Sequence, residues 1–328
     1  MEADFGRSLT IGVEEELLLL DPDTLALAPG VERLLGPPGL KTELFSCLVE
    51  TNTPVCDTVQ EAAGELRRLR REVREAAAEL GLLVAAAGAH PFSLPEEQQI
   101  VAEARYVKML EELGPKMRRQ LVCGLHVHVG MESFDACLET LAALVPWLPA
   151  VLALSLNSPY LAGEETGVLS ARAGRLLELP RGGPPPPFAS PEDWARRIAA
   201  TGQDYTRSWW DARPHPRLGT LEIRIADQPT RVERTVAITA LVQALCAARP
   251  RGDAPQPEAY LARRAAAAKG EAPTDELLAL VEPAARELGT WELVEALKAP
   301  VEALRQLEVG HGDGLEAVAA DLVQRTAR

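Results

Sequence analysis

Four stretches of the chain read as β-strands that set an apolar face against a face bearing polar or charged residues, three of them by alternation with a period of two. In CGLHVHVG, residues 123–130, Leu125, Val127 and Val129 fall on one face and His126 and His128 on the other. In TLEIRIAD, residues 220–227, Leu221, Ile223 and Ile225 oppose Glu222 and Arg224. In FSCLVETNTP, residues 45–54, Glu50 and Asn52 share a face. The fourth stretch, IGVEEELLLL at 11–20, is an apolar run holding Glu14, Glu15 and Glu16 in succession. Strand parity sends Glu14 and Glu16 to one side and Glu15 to the other. A buried carboxylate persists only when paired, hydrogen-bonded or coordinated to a metal. This strand therefore borders water or faces a cation, and Glu15 needs a separate partner.

A different period governs the next segment. Val59, Ala62, Leu66, Leu69, Val73, Ala76 and Leu80 recur at three- and four-residue steps, predicting a helix capped by Asp57 or Thr58 and closed by Gly81. Helical patterns recur at about 96–113, 135–144, 191–200 and 232–248, and LLVAAAGAH from Leu82 reads as a short apolar strand. From about Arg251 the chain is rich in Ala, Glu and Leu and reads as helical throughout, with no residue grouping that suggests chemistry. The segment 180–191 contains four successive prolines, which fix φ and remove donors; it reads as an ordered cover or lid edge, or else as a linker. Candidate site residues lie on both sides of it, so residues 1–328 are expected to form one domain with a mostly helical C-terminal part. The mixed order, without regular βαβα alternation, predicts an α+β fold.

Composition narrows the function. Of 328 residues 47% are hydrophobic, enough for a substantial core, and the net charge of −14 argues against a general nucleic-acid binder. The basic run RRLRREVR, residues 67–74, has helical periodicity and is expected on a solvated helix face. Residues 140–162 carry no charge, but Pro146, Pro149, Asn157 and Pro159 interrupt them, so buried helices are expected and no membrane span. The five scattered cysteines contain no CxxC pair, and the opening MEADFGRS has no apolar signal core. A cytoplasmic protein with reduced thiols is the expectation.

If the four strands lie in one sheet, their polar faces form a site. Carboxylates with one or two imidazoles and no thiolates favour Mg²⁺ or Mn²⁺ over zinc. Hard cations on carboxylates commonly carry a polyphosphate, and Arg224 beside them suits charge developing on a transferred phosphoryl group. There is no GxxxxGK[ST] or GxGxxG, so a nucleotide would bind without a P-loop or Rossmann turn. Each residue alone also fits a plain structural role: a strand Glu in solvent, a satisfied HxH pair, or Arg224 neutralising Glu222.

At these residues the sequence resembles the carboxylate–amine ligases related to glutamate–cysteine ligase, most closely the compact type 2, YbdK-like branch. GVEEELLLLD at 12–21, LVETNTPVC at 48–56, CGLHVHVG at 123–130, SLNSPYLAGEETGVLSAR at 155–172 and SWWDARPHPRLGTLEIRIADQP at 208–229 match in the family's order. The resemblance implies a glutamine-synthetase-like fold, a curved antiparallel sheet with helices on its outer face, binding ATP with Mg²⁺ or Mn²⁺. It implies that ATP phosphorylates a carboxylate, with glutamate's γ-carboxylate the expected one, and that an amine such as cysteine attacks the acyl phosphate. It also implies Glu14, Glu16, Glu50, His126 and Glu222 as metal ligands, Glu222 and Arg224 as catalytic, and Arg224 and Arg172 at phosphate or substrate carboxylate. Glu43, seven residues before Glu50, resembles a further ligand, although its parity differs. Small molecules are the expected partners, with a dimer or larger assembly. His128 stays open between a structural role and direct participation. The residues alone also allow a zinc hydrolase using His126 and His128 with His90 or His215, or a nucleotide-binding protein without turnover.

Overall fold

The computed structural model describes residues 4–250 and 255–328; the first three residues of the N-terminal stretch and the expected helical boundary near 251 lie outside them. Seven strands form one antiparallel sheet, in the order β2 (Leu40–Thr42), β3 (Leu48–Asn52), β1 (Ile11–Leu20), β5 (Leu125–Gly130), β9 (Thr220–Ile223) and β8 (Ala212–His215), with β4 (Leu83–Ala85) also on β1. A separate two-residue ribbon joins β6 (Tyr160–Leu161) to β7 (Glu164–Glu165). β1 is paired along both edges: β3 runs beside its centre, β5 beside its first half and β4 beside its end. That position explains the apolar residues on either side of its three glutamates, since the backbone is paired along both edges and their side chains have no route to water.

One face of the sheet is the core. Ile11, Val13, Leu125, Val127, Val129, Leu221 and Ile223 are all at most 1% exposed and pack in one cluster with Leu66 and Leu241. Each such side chain contributes on the order of 2 kcal/mol through removal from water. Leu66 belongs to the Val59–Glu79 helix, whose N-cap Thr58 accepts a hydrogen bond from the Glu61 amide. Leu241 belongs to the Val232–Ala248 helix, which is buried nearly all round and packs between the first helix and Thr274–Glu287. The apolar stretch Phe134–Ser155, which overlaps the uncharged residues 140–162, is long and apolar enough to cross a membrane, yet most of it is buried inside this fold. It runs as Phe134–Leu144, a short 3₁₀ turn containing Pro146, and Leu148–Ser155.

Three expectations are corrected. The pattern at 96–113 is α-helical only over Ala104–Leu113; a 3₁₀ turn covers Pro95–Glu97, and between the two Ile100 bridges to Phe45 and the Val101 amide donates to the Leu44 carbonyl, so tertiary pairing overrides the periodicity. The strand expected over 220–227 ends at Ile223, leaving Arg224 just beyond it. In the basic run, Arg70 is not solvated: it is 4% exposed and turned inward. The proline segment is ordered rather than a slack tether, with Phe188 edge-on to Trp210 at 5.6 Å and Gly183 accepting from the Asp211 amide at 2.7 Å.

Candidate active site

The register of the sheet lines up the polar residues in cross-strand rows. Glu14 stands opposite Asn52 on one side and His126 on the other, and Glu16 stands opposite Glu50, which faces Lys41. A third row runs from Gly12 through His128 and Glu222 to Arg213. Side chains in such rows lie about 5 Å apart, close enough for several to touch one ion. Two groups result: Glu14, His126 and Glu222, and Glu16, Glu43 and Glu50, with candidate ligand atoms inside each group within 4.8 Å of one another. His126 lies between them, Nδ1 3.2 Å from Glu14 and Nε2 3.8 Å from Glu16. Glu43 joins from beyond the end of β2, so strand parity does not govern its direction.

Glu222 is held by two arginines. Arg224 Nη1 bonds Glu222 Oε1 and approaches His126 Nδ1 at 3.4 Å. Arg213 Nε donates to Glu222 Oε2 at 2.8 Å, and Arg213 Nη1 donates to the carbonyls of Thr206 and Ser208 at 2.8 and 3.1 Å. The sequence reading missed Arg213, although it sits inside one of the matched stretches and alternates with the buried Ala212. Arg172 is buried and donates to the carbonyls of Arg224 and Ile225 at 3.0 and 3.1 Å. Gly124 makes room for it, since a Cβ there would collide with the guanidinium, and the Gly124 amide donates to Glu16 Oε2 at 2.5 Å.

His128 lies deeper. Its Nδ1 shares a hydrogen bond with Thr220 Oγ1 at 2.9 Å, while Nε2 lies 3.5 Å from Glu14 and 3.9 Å from Glu222 with no hydrogen bond formed. His215 stacks edge-on against it at 5.4 Å. His90 is occupied elsewhere: Nε2 meets the Leu25 carbonyl at 2.9 Å and Nδ1 accepts from the Ser93 amide at 3.0 Å. Among the described residues, the groups able to hold a cation are thus five glutamates and one histidine, without a three-imidazole set.

Burial divides the carboxylates. It pushes Glu16 up to about 7 against the opposing pull of Arg172, and it raises Glu43 and Glu50, each further raised by a neighbouring carboxylate. Burial acts the same way on Glu14 and Glu222 but is outweighed. The His126 and His128 imidazoles hold Glu14 well below the usual carboxylate range, and Arg213 with Arg224 does so for Glu222. Burial, with Arg224 beside it, lowers His126 to about 4. The Glu16, Glu43 and Glu50 group therefore has too little positive charge of its own, which a divalent cation would supply.

A cavity of about 620 Å³ opens over both groups, lined also by Arg105, Tyr106, Arg172, Trp209 and Arg224. A second, of about 370 Å³, is lined by Phe5, Lys41, Asn52, Val55, His128 and Leu218. Glu14 lines both, so two compartments meet at the first carboxylate group.

The model of glutamate-cysteine ligase family 2 matches residues 10–320. The chain belongs to this family. A Rubrobacter xylanophilus protein carrying the provisional name glutamate–cysteine ligase 2-3 is 43% identical over 262 residues, 76% of this chain and 72% of the relative. A Herpetosiphon aurantiacus protein, provisionally glutamate–cysteine ligase 2, is 40% identical over 72% of this chain and 64% of its own length. Among solved structures, the Francisella tularensis glutamate–cysteine ligase in complex with AMP superposes with a TM-score of 0.75 at 15% identity, covering 99% of this chain and 89% of that one. The bifunctional glutathione synthetase of Pasteurella multocida gives 0.75 at 14% identity, covering 98% of this chain and 52% of that one. These structures establish the ligase-type α+β fold. Family membership makes the chain an ATP-dependent carboxylate–amine ligase of the glutamate–cysteine type.

Proposed function

We propose that this ligase joins the γ-carboxylate of glutamate to an amine, with cysteine the first candidate, by way of an acyl phosphate. The observation that carries the reading is the pairing of two carboxylate groups with Arg224 at one cavity, which meets a second cavity at Glu14. A carboxylate is a poor electrophile; transfer of the ATP γ-phosphoryl group to its oxygen, with ADP leaving, gives it a leaving group. The amine nitrogen then bonds the carbonyl carbon, phosphate departs and the amine loses its proton. No protein nucleophile is needed.

The oxygen-rich donor set fits Mg²⁺ or Mn²⁺, and Glu14, His126 and Glu222 would hold one ion and Glu16, Glu43 and Glu50 another. Bound there, the metal would screen repulsion between the triphosphate and an anionic substrate. Arg224 meets the transferred phosphoryl group, and Arg213 fixes Glu222, whose other oxygen in turn holds Arg224 in place. Arg172 supports Arg224 through its backbone carbonyl while lining the larger cavity. His128, held by Thr220 through Nδ1, places its Nε2 3.5 Å from Glu14 and 3.9 Å from Glu222 and adds to their electrostatic surroundings. A substrate panel of amino acids and amines with ATP and Mg²⁺, read by ADP release and mass detection of a new amide, tests the proposal. Glutamate-dependent ADP release with a matching amide supports it. Absence of both across the panel, with Mg²⁺ and with Mn²⁺, overturns it.

A further inference from the structure

The C-terminal helices hold no residue grouping that suggests chemistry by sequence, yet one of their side chains reaches the backbone behind the cavity arginines. Arg264, on the helix Pro257–Ala267, is buried. Its Nε and Nη2 donate to the two carboxylate oxygens of Asp211 at 2.8 and 3.0 Å, and its Nη1 donates to the Ala173 carbonyl at 2.5 Å. We propose that Arg264 is a positioning residue of the ligase. It fixes the backbone from which Arg172 and Arg224 reach the larger cavity, an inference that rests on Arg224 meeting the transferred phosphoryl group.

Both contacts of Arg264 lead to the site. Asp211 immediately precedes β8, and its neighbour Ala212 pairs with Ile223, the last residue of β9. Arg224 lies one residue beyond that strand, and its amide donates to the Asp211 carbonyl at 2.9 Å. The Arg224 carbonyl accepts in turn from Arg172 Nη2 at 3.0 Å. Arg172 is followed by Ala173, whose carbonyl receives Arg264 Nη1. The circuit from Arg264 through Asp211, Arg224, Arg172 and Ala173 therefore closes on itself, and one guanidinium spans it.

The end of the same helix is docked on the same backbone. The Ala268 carbonyl accepts from the Leu169 and Ser170 amides at 2.7 and 3.2 Å, just ahead of Arg172. A buried ion pair adds little net stability over apolar residues of similar volume, so what Arg264 and Asp211 contribute is geometry. A guanidinium fork on a carboxylate fixes the orientation of both groups, which a single donor does not. Misplacement of a reacting group by about 1 Å can cost about a hundredfold in rate, so the circuit matters to Arg224 even though Arg264 does not line the cavity. Tyr260, on the same helix, spends its one proton on Asp211 Oδ2 at 2.8 Å.

Calorimetric titration in Mg²⁺ with ADP and with β,γ-imido-ATP, whose terminal phosphoryl group is not transferred, separates positioning from stability. Wild type is expected to bind the imido analogue more tightly than ADP, because Arg224 faces the terminal phosphoryl group. Arg264→Lys keeps the charge but loses the fork; it is expected to bind the analogue about tenfold more weakly, with ADP affinity and the number of sites within about twofold of wild type. Tyr260→Phe removes a buried hydrogen bond to the same carboxylate but leaves the fork, and should keep both affinities. If Arg264→Lys does not fold, Arg264→Met/Asp211→Asn, which strands no charge, takes its place with the same expectation. Unchanged affinity of the variant for the analogue, an equal fall for both nucleotides, or a wild type that binds the two equally would each overturn the proposal. A wild type that discriminates the nucleotides, loses that discrimination in Arg264→Lys, and yields no amide across the substrate panel supports the role of Arg264 while removing the proposed reaction.

Discussion

Arg213 and Glu222 face each other across β8 and β9, their side chains 7% and 1% exposed, with Nε 2.8 Å from Oε2 and Nη2 3.2 Å from Oε1. Breaking a buried pair by removing one partner is far costlier than an exposed pair suggests. Arg213→Ala is therefore expected to lower stability by about 3 kcal/mol, measured by urea unfolding, and to reduce ADP release severely. Arg213→Lys restores charge without the fork and should recover stability more than activity. Full activity in both variants would remove Arg213 from the positioning of Glu222.

Glu15 and Arg70 form a second buried pair on the opposite face, at 2.6 and 2.9 Å, with Thr235 and Gln228 completing the carboxylate's hydrogen bonds at 2.8 Å. Arg70→Ala should cost about 3 kcal/mol, while Glu15→Gln/Arg70→Met should recover part of that loss, because a buried pair replaced whole leaves no stranded charge. A double-mutant cycle by denaturant unfolding measures the coupling. Glu15 lines neither of the two cavities, so Glu15→Gln protein that remains folded should keep its turnover.

Glu16 carries a pH signature. Its folded pKa, about 7, lies above the unfolded 4.5, so the protonated form is favoured by folding. That stability is complete below pH 4.5 and is lost as pH rises through 7, to the extent of about 3 kcal/mol in metal-free protein. Thermal unfolding in EDTA should show this loss in wild type relative to Glu16→Gln, which cannot ionise. Added Mg²⁺ should raise the wild-type midpoint more at pH 8 than at pH 6, because binding competes with protons.

Gly124 is predicted to tolerate no side chain. Gly124→Ala forces a Cβ against the Arg172 guanidinium and displaces the amide that bonds Glu16. Loss of most ligase activity is expected, with a fall in stability of about 2 kcal/mol by chemical denaturation. An active, stable Gly124→Ala protein would show that Arg172 can move without consequence.

Much of the site was legible because β1, β5 and β9 are half-buried strands whose parity is written in alternating residues: Glu14, Glu16, His126, His128 and Glu222 fall together once the strands pair. The residues that escaped lack such a pattern. Arg70 is one of several arginines in a helical run, and nothing local marks which of them turns inward. β8 is four residues long and contains Pro214, so Arg213 offers too short an alternation to read. Glu43, named through the family resemblance and not through parity, lies past the end of β2, where direction depends on packing rather than on the pleat. The extended segment before Ala104 is set by pairing with residues 44–45, a contact distant in sequence. The family resemblance supplied what parity could not, namely the reaction.

Activation of a carboxylate by ATP over the two carboxylate groups leaves a direct trace in the transfer of an oxygen isotope. Glutamate labelled with ¹⁸O in its γ-carboxylate is incubated with the enzyme, ATP, Mg²⁺ and the amine identified in the panel, and the released phosphate is analysed by mass spectrometry. An acyl phosphate predicts one ¹⁸O atom in each phosphate formed with amide. Phosphate released alongside amide without ¹⁸O would contradict the account.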